Sequence, residues 1–224
     1  MADNAFTHVP TDIETLSKIR SSLPSYITGK RLEHTYSVEK EALAISEILF
    51  PLFGIDKQYQ RDLSAAALLH DITKYLSADA QNELCKEYGI EIDPYSESNT
   101  AVLHSKTAAH VAKRDFCIND FVFSAIFCHT TGKENMNLLE KIIFIADYIE
   151  ITRTHTSCIE ARKYFYDSIG KGENALDTLN KTIIMSIDST LAFLIEKGVV
   201  IDSQTIKARN FLLAEYALQR SIQR

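Results

Sequence analysis

Residues 57–71 read KQYQRDLSAAALLHD. The run from Lys57 to Leu69 keeps a helical period and closes on the apolar block AAALL, which sets His70 and Asp71 at the edge of a buried surface. Helical reading extends from here in both directions. Upstream, Asp12 caps a first helix that runs to about Pro24. A second runs from near Arg31 to Pro51, with Val38, Ala42, Ile45 and Leu49 as its inner stripe. Downstream, short helices are predicted near 77–88 and 104–114, then 119–129, 138–150 and 157–169. A long helix follows from about Glu173 to Lys197, and a last one over 203–220.

The punctuation agrees. The chain holds 7 Gly and 4 Pro, so 11 of 224 residues, about 5% against a usual share of roughly 12%. A β-sandwich or barrel needs a turn signal roughly every 8–12 residues, so that class is disfavoured. The breaks fall at Gly29, Gly54, Gly89, Pro94, Gly170, Gly172 and Gly198, where helix-stop chemistry puts them. No repeat, low-complexity tract or linker divides the chain. The expectation is one all-α domain over 1–224, a bundle of about ten helices, with the last two packed on an N-terminal core.

Net charge is −6, from 24 Lys+Arg against 30 Asp+Glu. That argues against nucleic acid or an anionic membrane as partner, and no basic run exceeds a pair such as Lys30-Arg31 or Lys113-Arg114. A phosphorylated small molecule stays open, because a local metal outweighs global charge. Cys85, Cys117, Cys128 and Cys158 show no Cys-x-x-Cys spacing and are read as reduced, buried thiols. No signal pattern opens the chain, and no apolar run reaches the ~18 residues of a membrane span, so the expected location is cytoplasmic.

The chemistry lies in unevenly placed polar residues. His34 sits one turn before Val38 and points inward. His70-Asp71 end AAALL, His104 follows AVL, His129 follows FSAIFC, and Asp147 interrupts IIFIADYI. An unpaired carboxylate at such depth is costly and needs a partner. Imidazole plus carboxylate without thiolate suits iron, manganese or zinc. Any one of these residues has an ordinary explanation as a satisfied core histidine or a capped aspartate; six together do not share one. Helical neighbours diverge by about 100°, but at a helix C-terminus Asp71 can swing round to the ion that His70 faces. Lys74, three residues on, reaches a phosphate near that ion. In HTTGK, Thr130, Thr131 and Gly132 are either a plain helix stop or, with Lys133, hydrogen-bond donors to phosphate. Tyr148 stacks on a base or packs. His8 reads as frayed terminus, His110 as packing, and His155 as a polar loop residue.

The order His34, His70-Asp71, Asp147 resembles the H…HD…D pattern of the HD-domain metal-dependent phosphohydrolases. KRLEHT, AALLHDITK, VLHS, CHTTGK, MNLLEKIIFIADYIE and Arg153 resemble its YqeK-type branch, over about residues 12–215. One departure is visible: Ile151-Thr152 stand where that branch usually has Pro-Asn.

The resemblance implies an HD-type core over about 30–150 with helices of about 157–220 packed on it. It implies symmetrical bis(5′-nucleosyl)-tetraphosphatase activity with iron bound, and manganese, cobalt or zinc as substitutes. His34, His70, Asp71 and Asp147 would hold the first ion. His104 and His129 would lie beside the phosphates or hold a second ion, with Asp71 bridging. One ion or two stays open. A bound metal lowers the pKa of water from about 15.7 to about 7, which supplies the nucleophile. Attack at the middle of the tetraphosphate bridge yields two ADP from diadenosine tetraphosphate. Arg31, Lys74 and Arg153 would neutralise phosphate charge, with Thr130, Thr131 and Tyr148 as further substrate contacts. The expected partners are a small nucleotide and, as oligomer, a homodimer, with no nucleic acid and no membrane. The alternatives are another HD-type hydrolase of a nucleoside tri- or monophosphate, cyclic nucleotide or alarmone, and a non-catalytic metal-stabilised binding factor. No Glu-x-x-His, P-loop or Gly-x-Gly-x-x-Gly supports an unrelated fold.

Overall fold

The computed structural model describes residues 8–92 and 100–222. No strand occurs among the described residues, and ten α-helices follow one another: α1 Ile13–Ser22, α2 Gly29–Phe53, α3 Gln60–Leu69, α4 Ala78–Glu87, α5 Thr100–Phe116, α6 Asp120–Cys128, α7 Leu138–Ile149, α8 Thr156–Gly170, α9 Ala175–Glu196 and α10 Ser203–Ile222. Their starts carry the expected caps. Asp12 accepts from Thr15 N at the head of α1, Asn119 accepts from Val122 N at α6, and Asn137 forms a capping box with Glu140 at α7.

α7 is the axis. Leu139 through Ala146 are all buried, and a helix buried all round belongs at the centre of a bundle. It packs against α2, α3, α6, α8 and α9, while α10 packs on α9. Ile142, Ile143 and Ile145 are wholly buried, so truncating any of them to Ala costs about 2–5 kcal/mol. α3 is likewise buried from Asp62 to Leu69.

Three boundaries differ from the sequence reading. α2 continues through Pro51 to Phe53, because a proline in the last turns forfeits little more than one hydrogen bond and Gly54, left-handed at φ 64°, closes the helix. Lys57–Tyr59 form a 3-10 turn ahead of α3. α5 starts at Thr100, so His104 sits inside a helix and not at its head. The break assigned to Pro94 lies outside the described residues.

Two smaller expectations are corrected. His8 is not frayed: its Nε2 lies 2.7 Å from the buried carboxylate of Asp62, which also accepts from Thr11 N, Thr11 Oγ1 and Asn119 Nδ2. Those bonds clasp the N-terminal segment and the head of α6 onto α3. Cys117 is exposed, following α5 with φ 51°, whereas the other three thiols are buried.

Candidate metal centre

One local device is used twice. α3 ends at Leu69 and α6 at Cys128, and in each case the next residue is a histidine in helical conformation. Its Nδ1 donates to a carbonyl three residues back: His70 to Ala67 at 2.6 Å, His129 to Ile126 at 2.7 Å. This bond fixes the tautomer and leaves Nε2 with a lone pair facing inward. His34, from the second turn of α2, is oriented by Glu150, whose Oε1 lies 3.0 Å from Nδ1.

The lone pairs converge on two carboxylates. Asp71 Oδ2 lies 3.4 Å from His70 Nε2 and 3.8 Å from His34 Nε2; Oδ1 lies 3.0 Å from His104 Nε2 and 3.8 Å from His129 Nε2. Each oxygen of Asp71 thus faces its own pair of imidazoles. Asp147 Oδ1 lies 3.0 Å from His34 Nε2 and 3.8 Å from His70 Nε2. The two carboxylates also carry cations, with Arg31 donating to Asp71 and Arg153 to Asp147, each at 2.6 Å.

This donor set fits a divalent ion. The Nε2 atoms of His34 and His70 are buried and make no hydrogen bond, a costly state unless a cation takes their lone pairs. Three overlapping groups have ligand atoms close enough to share one ion: His34, His70 and Asp71; His70, His129 and Asp147; Asp71, His104 and His129.

Electrostatics favour the ligand form of Asp71, Asp147, His104 and His129. Burial alone raises the Asp71 carboxyl, but the imidazoles of His70, His104 and His129 around it hold it well below the ordinary value. Asp147 is held low against its own burial, chiefly by Arg153 and His34. Burial first, then His129 and Lys74, pushes His104 down to about 4, so the ring is neutral at pH 7. Burial also lowers His129 and Lys74. His34 rises despite burial, because the Asp147 and Glu150 carboxylates outweigh it.

A cleft of about 190 Å³ opens over the centre. Arg31, Lys74, Arg153, Thr130 and Tyr148 line it beside Asp71, Asp147, His104 and His129, so the structure brings these sequence-selected residues to one place. Lys74 Nζ stands 3.2 and 3.3 Å from the two ring nitrogens of His104. Thr131 turns away: it is absent from the cleft lining, and its hydroxyl donates to the Gly132 carbonyl. Lys133 likewise pairs with Glu140 at 2.7 Å and donates to Ser124. Gly132 is left-handed at φ 67°, and a Cβ there would stand 3.0 Å from Ala208 Cβ of α10. The exposed His155 precedes α8 without capping it, and His110 stacks on Tyr88.

Glu150, Arg162, Ser186 and Thr190 were not selected as site residues from the sequence. Glu150 is wholly buried behind His34; its position three residues after Asp147 was the available signal. Thr152 donates to it through both N and Oγ1, so the Ile151-Thr152 departure is absorbed locally. Arg162 on α8 donates to the carbonyls of Ile149, Glu150 and Arg153 and braces the same loop. Ser186 and Thr190 on α9 line the cleft, with no signal in their local sequence.

A family model of the HD domain matches residues 31–152. Over 191 residues the chain is 32% identical to a Halalkalibacterium halodurans protein named bis(5′-nucleosyl)-tetraphosphatase, symmetrical, covering 85% of this chain and 92% of that one. A Staphylococcus aureus protein of the same name is 32% identical over 200 residues, covering 88% and 93%. A solved Clostridium acetobutylicum structure, described as a predicted HD superfamily hydrolase involved in NAD metabolism, superposes with a TM-score of 0.76 at 34% identity, covering 89% of this chain and 97% of that one. The match spans more than half of the chain and includes His34, His70, Asp71, His104, His129 and Asp147, and the chain belongs to the HD domain family.

Proposed function

We propose that this protein is a metal-dependent hydrolase that cleaves dinucleoside tetraphosphates symmetrically, releasing two nucleoside diphosphates such as ADP from diadenosine tetraphosphate. The observation that carries the reading is Asp71 set between two histidine pairs, beside a cleft lined by Arg31, Lys74 and Arg153. The two similar proteins that carry the tetraphosphatase name support the substrate. His34, His70, Asp71 and Asp147 would hold one ion, and His104 and His129 with Asp71 a second. The imidazole and carboxylate donors, with no thiolate among them, suit iron, with manganese, cobalt or zinc as substitutes. A divalent ion in this site supplies Lewis-acid charge and acidifies bound water to a pKa of about 7.

The chain's own residues do the rest. Arg31 and Arg153 each keep guanidinium donors beyond those spent on Asp71 and Asp147, and these face phosphate oxygens in the cleft. Lys74 Nζ adds a third positive charge. Hydrolysis adds a water oxygen to an inner phosphorus and breaks the central P–O–P bridge; the bridging oxygen leaves as a terminal oxygen of the second nucleoside diphosphate. Lys74 Nζ, made more acidic by burial, is the proton source at the cleft for that departing oxygen. Iron as the resident ion, a single HD-type domain over 1–224, a cytoplasmic location and a homodimer are parts of the same proposal.

The test is product analysis with metal-loaded protein. ADP as the sole nucleotide from diadenosine tetraphosphate is expected, with loss of turnover in Asp71→Ala. ATP plus AMP, or no nucleotide at all while a nucleoside triphosphate is turned over, overturns the reading.

A further inference from the structure

The cleft lining holds two chemically different sets of groups. Arg31, Lys74 and Arg153 offer N–H donors. Ser186 and Thr190 of α9, with Tyr148 and Phe144 of α7, line the same cleft. The hydroxyl protons of this second set are already committed. Ser186 Oγ donates to the Ile183 carbonyl at 2.8 Å, Thr190 Oγ1 to the Ser186 carbonyl at 2.8 Å, and Tyr148 Oη to Ser157 Oγ at 2.9 Å. A hydroxyl that has spent its proton keeps only acceptor lone pairs. Phosphate oxygens are acceptors too and gain no hydrogen bond from hydroxyls so committed. A ligand group carrying O–H or N–H does, and the rings of Phe144 and Tyr148 add apolar surface beside it.

We infer that Ser186 and Thr190 are specificity-determining residues that accept hydrogen bonds from the nucleoside of the substrate, while Arg31, Lys74 and Arg153 take its phosphates. The inference rests on the proposed nucleotide reading of the cleft and deepens it. Helical Ser and Thr often donate to backbone carbonyls for their own satisfaction alone. Thr182 does so one turn earlier, donating to the Thr178 carbonyl at 2.7 Å, but is absent from the cleft lining and supplies an internal control. Ser186 and Thr190 lie beyond residues 31–152, so this discrimination comes from a helix outside the matched HD domain.

Calorimetric binding of ADP and of inorganic pyrophosphate to the full-length, metal-loaded protein tests this. Wild-type protein binds ADP more tightly than pyrophosphate. Thr190→Val and Ser186→Ala each weaken ADP by about fivefold to tenfold and leave pyrophosphate unchanged, the scale of one lost hydrogen bond. Thr190→Ser and Thr182→Val keep wild-type ADP affinity. Loss of the Thr190→Val effect with 2′-deoxy-ADP assigns the donor to the sugar, and its loss with inosine diphosphate assigns it to the base amine. Equal weakening of ADP and pyrophosphate overturns the inference, as does unchanged ADP affinity in both variants, or wild-type protein that does not prefer ADP. Failure to release ADP from diadenosine tetraphosphate, with this pattern intact, sinks the tetraphosphatase reading alone.

Discussion

Glu150 Oε1 lies 3.0 Å from Nδ1 of His34, with both side chains buried, so a carboxylate 116 positions away in sequence sets the orientation of an inward imidazole. The same Glu150 is held by Thr152 N and Oγ1, which leaves its geometry little freedom. A carboxylate behind a ligating histidine fixes the tautomer and raises ligand basicity.

Glu150→Gln is therefore expected to weaken metal binding by about 10- to 100-fold while the fold persists. Competition against a chelator of known affinity checks it. Unchanged metal affinity would show that His34 needs no such support.

Arg162→Ala removes donors from the carbonyls of Ile149 and Glu150 at the end of α7 and of Arg153 in the loop beyond it. Last-turn carbonyls left without a partner cost about 1–3 kcal/mol for a buried group. Thermal unfolding should drop accordingly. The KM for the tetraphosphate should also rise, because the braced loop carries Arg153, whose Nε and Nη2 both donate to Asp147. Arg162→Lys should recover part of the stability and little of the KM, since an ammonium does not reproduce a planar fork.

The pH dependence follows from His104. Its folded value of about 4 lies below the ordinary value of 6.5, so the unfolded chain binds the extra proton first. The stability it contributes is fully present above about pH 6.5 and is lost as pH falls towards 4. Urea midpoints of chelator-treated protein at pH 7 and pH 5 should differ for wild type, and differ less in His104→Asn. An equal difference in both proteins refutes the assignment.

Gly132→Ala meets two penalties: a left-handed φ of 67°, and a Cβ 3.0 Å from that of Ala208. A loss of about 1–3 kcal/mol is expected. Ala208→Gly in the same background should return the part owed to contact but not the part owed to φ. A double-mutant cycle by urea unfolding separates the two, and strict additivity would mean that α10 does not press on this turn.

What the residues alone decided is local. Helix periodicity and sparse Gly and Pro specify ten helices, because amphipathic patterning and caps act within a few turns. The six inward residues were legible for a related reason: a polar side chain at the edge of an apolar run must be buried with a partner, whatever the partner is. Tertiary structure alone decided which partner. That Asp71 presents one oxygen to His34 and His70 and the other to His104 and His129 depends on α2, α3, α5 and α6 meeting at one point. Thr131 and Lys133 stand in the same HTTGK stretch as Thr130, yet Thr131 donates to the Gly132 carbonyl and Lys133, beyond the left-handed turn at Gly132, pairs with Glu140. Glu150 was marked only by its place three residues after Asp147, and Arg162, Ser186 and Thr190 carry no marker in their own segments, because a surface-type arginine and two helical hydroxyls take their meaning from what packs against them.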